Sequence, residues 1–171
     1  MKRNTKGAAR LRLDDYVPYR LAVLANTVSA ALAREYAERF GLTIPQWRVM
    51  AVLGLEPGLS AREVCARTAM DKVAVSRAVA GLVRAGRVAQ RVDTQDRRRA
   101  RLRLSARGRA IYAEIVPRAY AVERRLLRSL SARDRAQLDR LLATLRVAAQ
   151  SLESQLLESQ SLESRSKQEV A

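Results

Sequence analysis

Between Arg87 and Leu104 the side-chain pattern changes its period, and that change limits the fold more than any other feature. On either side, apolar residues recur every three or four positions, as along one face of a helix. Within the stretch the pattern alternates: Val88, Gln90 and Val92 with Arg87, Ala89 and Arg91, then Leu102 and Leu104 with Arg101 and Arg103. The charged run Asp93-Thr94-Gln95-Asp96-Arg97-Arg98-Arg99 separates the two segments. Two short strands joined by such a loop predict a β-hairpin. The expected fold class is therefore mainly α with one small hairpin, an α+β arrangement.

The helices around it are marked by their ends. Leu21, Leu24, Val28, Ala31 and Leu32 line one face of a helix expected over about 15–40, which Gly41 terminates. Thr43 and Gln46 form a capping box, with Pro45 in the first turn of a helix over about 44–54 that buries Trp47, Val49, Met50 and Leu53. Pro57-Gly58 is a turn. Ser60 and Glu63 form a second box, opening a helix over 61–68. Met70-Asp71 starts a helix over 72–85, with Val75, Val79, Leu82 and Val83 apolar and Gly86 as its stop. Ser105 opens a helix over about 106–128. Ser131 and Asp134 open another over 132–150, with a stripe of Leu138, Leu141, Leu142 and Leu145. Residues 1–13 read as a flexible basic arm, 14–150 as the folded domain, and 151–171 as a low-complexity tail. In that tail Ser-Leu-Glu-Ser occurs at 151 and again at 161.

Charge narrows the class of partner. The chain carries a net +16, and between Arg84 and Arg109 ten arginines face two aspartates, a net of +8. Like charges packed so closely repel one another, and a polyanion relieves that cost. The alternation of apolar and charged residues leaves no run of 18 apolar residues, so no membrane association is expected. The basic start lacks an apolar segment behind it, so no signal peptide is expected either, and one cysteine leaves no intrachain disulfide. The expected location is the cytoplasm, on the nucleoid. There is no histidine, which removes imidazole proton shuttles and zinc ligands, and no glycine-rich phosphate loop. No catalytic residue, metal or cofactor is expected, and an enzyme acting on an anionic substrate is disfavoured.

Two short helices, a tight turn, a third helix and a basic hairpin make a winged helix-turn-helix over about 44–104. That geometry puts helix 72–85 in the major groove of double-stranded DNA. With Val75, Val79 and Leu82 inward, Lys72, Val73, Ser76, Arg77 and Ala80 face outward. Lys72 and Ser76 can reach bases or phosphates, Arg77 can bond guanine or phosphate, and Arg62 can meet a phosphate. A sequence-tolerant nucleoid-associated protein is the alternative that charge alone allows.

Asp93-x-x-Asp96-Arg97-Arg98, followed by Leu104-Ser105-x-x-Gly108, resembles the wing signature of the MarR family. Met70-Asp71-Lys72-Val73-Ala74-Val75-Ser76-Arg77 resembles that family's recognition helix, and Leu82 to Gly86 its end before the wing. The likeness covers about 15–150. It implies a homodimer built through helices 15–40 and 106–150, and a regulator acting on a pseudo-palindromic operator. It also implies wing arginines in the minor groove. Arg97 best matches the wing arginine, with Arg98 and Arg99 beside it, and Asp96 orients an arginine of the wing. The family further implies a small-molecule effector. Tyr16 and Arg20 share a helix face, with Tyr19 adjacent, and Trp47 and Met50 supply apolar walls. One arginine among aromatics suits an aromatic or N-heteroaromatic acid. The expected function is that of a repressor released by such a ligand. Cys65, alternatively a redox sensor as in some members, falls where the fold wants a small buried residue.

Overall fold

Five helices begin where a hydroxyl or carboxylate takes up a backbone N–H that helix geometry leaves unpaired. Thr43 Oγ1 accepts from Gln46 N at 3.3 Å, and Gln46 Oε1 accepts from Thr43 N at 3.0 Å. Ser60 and Glu63 repeat the reciprocal pair, at 3.3 and 2.7 Å. Asp71 Oδ1 accepts from Ala74 N at 2.8 Å, Ser105 Oγ from Gly108 N at 3.0 Å, and Ser131 Oγ from Asp134 N at 3.2 Å. These caps fix α3 (Ile44–Leu55), α4 (Ala61–Thr68), α5 (Lys72–Arg84), α6 (Ala106–Leu126) and α7 (Ala132–Glu169). Upstream lie α1 (Val17–Arg34) and the short α2 (Ala37–Phe40).

The computed structural model describes residues 10–92 and 100–169. The chain divides into two units, Met1–Val122 and Glu123–Ala171. In the first unit α3, α4 and α5 pack on one another and on a hairpin of β1 (Val88–Val92) and β2 (Ala100–Leu104). The strands are antiparallel, with Val88 opposite Leu104 and Val92 opposite Ala100. β2 is also held on its other edge. Gly58 N donates to Leu102 O and Leu102 N to Leu59 O, both at 2.8 Å, so the α3–α4 turn acts as a one-residue third strand. The core is mostly aliphatic, with Val49, Met50, Leu53, Val64, Val75, Leu82, Leu102 and Ile115 fully buried beside Tyr36. Gly108, the glycine of the motif after the wing, sits where an added Cβ would collide with the Arg87 carbonyl oxygen, which itself accepts from Ser105 N.

Four expectations need correction. The helix over 15–40 is not continuous: it breaks at Glu35 and Tyr36 and restarts as α2. At the break Tyr36 leaves helical geometry (φ −131°), and its ring, 1% exposed, packs 5.7 Å from Trp47. Val83 does not face the core but is 38% exposed; Ala78 takes the inward position. Cys65 is half-buried and not fully buried: it packs against the core and also lines the edge of a cleft. The final helix does not stop near 150. It runs to Glu169 because the tail supplies Leu, Glu, Gln and Ser and neither Gly nor Pro.

Candidate nucleic-acid interface

The outward face of α5 is set by its inward one. Val75, Ala78, Val79 and Leu82 are buried, so at 100° per residue the opposite line carries Val73, Arg77, Ala80 and Arg84, with Lys72 and Ser76 on its flank. All six of these are exposed. The structure thus brings together the expected contacts Lys72, Val73, Ser76 and Arg77 on one face. Arg84, read from the sequence as part of the basic cluster and not as a contact, joins them, since its spacing of seven from Arg77 puts it on the same line. The N-terminal end of α5, the positive end of its dipole, carries Lys72 as well.

Arg62 lies exposed in the first turn of α4, across a cleft of about 680 Å³ from α5. Arg62, Cys65, Lys72, Ser76, Gln90 and Leu102 are among its lining residues. Gln90 belongs to the hairpin, so the cleft is where the wing's inner face meets the helix-turn-helix. The wing is anchored there by side chains too. Arg101 Nη1 donates to Gly58 O at 3.3 Å and approaches Glu63 Oε2 at 3.4 Å. Hydrogen bonds from Ser60 hold the Glu63 carboxyl below the usual carboxylate range, helped by Arg101 and Arg67. Arg67 in turn pairs with Glu56 at 2.6 Å. Burial, and then the nearby Arg107, lowers the guanidinium pKa of Arg87, which donates to the Phe40 carbonyl. Arg97, Arg98, Arg99, Asp93 and Asp96 lie outside the described residues.

The five residues expected around an effector divide into two groups. Trp47 and Met50 are core: Trp47 lies between Tyr36 and Tyr112, with ring centroids 5.7 and 6.0 Å away, and Met50 is fully buried. Burial raises the pKa of Tyr36, with Arg48 opposing the shift. Tyr16 precedes α1, whose first turns carry Tyr19 and Arg20, and all three are exposed. Among the described residues no hydrogen bond, ion pair or ring contact joins them to Trp47 or Met50. Sequence reasoning missed Tyr36 and Tyr112 as the neighbours of Trp47; no local spacing links residues so far apart in the chain.

A family model described as MarR family matches residues 40–99. An HTH-type transcriptional repressor of Mycobacterium tuberculosis is 35% identical over 133 residues, spanning 76% of this chain and 91% of the repressor. A MarR/EmrR family transcriptional regulator from Acinetobacter has a similar fold, with a TM-score of 0.76 at 25% identity over 82% of this chain and 99% of that one. The PcaV transcriptional regulator from Streptomyces coelicolor, solved with its natural ligand, gives 0.70 at 27% identity over 82% and 99%. Among the described residues no helix is long and apolar enough to cross a membrane.

Proposed function

The chain belongs to the MarR family of winged-helix, DNA-binding transcription regulators, and on that premise we propose that it is a homodimeric repressor whose two α5 helices enter successive major grooves of a pseudo-palindromic operator. The observation that carries this reading is the outward face of α5, where Lys72, Val73, Ser76 and Arg77 stand exposed on the far side of a buried stripe. Arg62 contacts a phosphate, and Arg97, Arg98 and Arg99 of the wing enter the flanking minor groove, where narrow A·T tracts concentrate negative potential. Dimerisation is supported by large apolar side chains left in water on α1 (Leu21, Leu24) and on α7 (Leu141, Leu142, Leu145).

The ligand is a small aromatic or N-heteroaromatic acid whose carboxylate pairs with Arg20 beside Tyr16 and Tyr19. PcaV, a relative solved with a natural ligand, supports a ligand-responsive reading in general. Binding releases the operator only if the ligand prefers a dimer whose helices no longer match the groove spacing. The test is selection of duplexes from random DNA with the full chain, then footprinting against excess non-specific DNA. A sharp two-half-site footprint is expected, and a uniform ladder would favour a sequence-tolerant nucleoid protein. Benzoates and hydroxylated nicotinates are then screened by thermal shift and by operator release. Arg20→Ala should keep DNA affinity and lose the response; an unchanged response would move the carboxylate site elsewhere.

A further inference from the structure

The outermost line of α5 is Val73, Arg77, Ala80 and Arg84, and its first member is chemically out of place among them. Val73 is 57% exposed, although it lies on a face that is otherwise basic, polar or small. Single exposed apolar residues are ordinary on protein surfaces. This one sits opposite the buried stripe of Val75, Ala78, Val79 and Leu82, at the part of the helix that projects furthest from the core. The flanking Lys72, Ser76 and Arg77 carry donors suited to phosphates and base edges, and no acid occurs on the line. Ala80, one turn beyond, is too small to keep a groove at a distance.

We propose that Val73 is a specificity-determining residue that reads the 5-methyl group of a thymine in the major groove. This rests on the reading that α5 occupies that groove. Among base edges there, the thymine methyl is the apolar one, and contact with an aliphatic side chain is the way proteins recognise it. Valine suits the role because β-branching fixes its methyl groups in one rotamer on a helix, so little side-chain freedom is lost on contact. Its position also locates the base. Val73 and Arg77 are one turn apart, about 6 Å along the helix at about 1.5 Å per residue. With about 3.4 Å between base pairs, the thymine falls within about two steps of the base that Arg77 faces.

The experiment uses the full chain and a duplex selected from random-sequence DNA. Each thymine of one half-site is replaced in turn by deoxyuridine, which removes the methyl group alone. Wild-type protein should lose about fourfold in affinity at one position, as burial of one methyl implies. Val73→Ala should bind the thymine duplex about as weakly as wild type binds the uracil one, and should not respond to the replacement. Arg77→Ala should bind less tightly but keep the response. Val73 is exposed, so circular dichroism of the alanine variant should match wild type. The proposal is overturned if no thymine position responds, or if Val73→Ala responds as wild type does. If selection returns no preferred sequence, and affinity follows only salt and duplex length, the groove reading itself fails and takes the proposal with it.

Discussion

α5 and α7 are both amphipathic helices, yet only α5 has buried its apolar stripe. Val75 and Leu82 are fully covered by α3, α4 and the hairpin, whereas Leu142 and Leu145 of α7 are 47% and 45% exposed. The polar face of α5 is therefore free for a partner of opposite charge, while the leucine stripe of α7 stays about half exposed. One helix is finished by folding and, on the function proposed above, works through its outer side. The other, on the same reading, is finished by association.

The largest expected effect tests the second half of that contrast. Leu142→Glu with Leu145→Glu puts four carboxylates into a two-fold interface, where each leucine contributes about 1.5–3 kcal/mol on burial. Sedimentation should change from twice the 19.1 kDa chain mass to that of one chain. A wild-type chain already monomeric at micromolar concentration would remove the contrast. Next, Leu82→Ala should lower unfolding free energy by about 2–5 kcal/mol in denaturant titration, whatever the protein concentration. Leu142→Ala should lower it in a concentration-dependent manner. Equal, concentration-independent losses would mean that α7 is covered within its own chain.

A smaller effect is expected on the outer side of α5. Arg77→Ala should leave thermal stability near wild type and, if Arg77 reads a base, cost about 1–3 kcal/mol of discrimination at one operator position. Arg97→Ala should instead weaken binding and reduce its salt slope by about 0.9, most on operators with A·T-rich flanks. The smallest effect concerns the cap that seats α4 beneath α5. Glu63 has its pKa lowered by Ser60, so its contribution is present above the ordinary carboxylate range and is lost as pH falls through the lowered value. Glu63→Gln should flatten that acid limb of the stability curve, measured by thermal melts across pH.

The helix starts were legible because a capping box is complete within four residues. Thr43, Ser60, Asp71, Ser105 and Ser131 each needed only the residue three places on. The hairpin was legible for the same reason, as alternation is local. Tyr36 was not, because it leaves the helix to meet Trp47 and Arg87 reaches back to the Phe40 carbonyl, partners that local periodicity does not reveal. In α7 the repeat of Ser-Leu-Glu-Ser at 151 and 161 marks a biased composition and defines no helix face. The helix instead follows Leu142, Leu145, Ala149, Leu152 and Leu156, in steps of three and four, which carries one face past residue 150. Of the proposed contact residues, those on α5 were placed by period and Arg62 by its position in the first turn of α4. The effector group was assembled from residue types, and its two halves differ in burial.

The bridge between Leu59 and Leu102 has a consequence for motion. It closes a loop in which α4 and α5 lie whole, with the wing's second strand as the clasp. Neither helix can separate from the core by fraying at one end, because each is tethered on both sides to a strand that is itself paired on two edges. Amide exchange in this segment is then expected to proceed through one cooperative opening rather than through independent local ones. The Leu102 amide, bonded to Leu59, and the Ala78 amide in the middle of α5 should exchange with the same free energy. The surface proposed to meet DNA would thus be held as a single piece until the whole loop lets go.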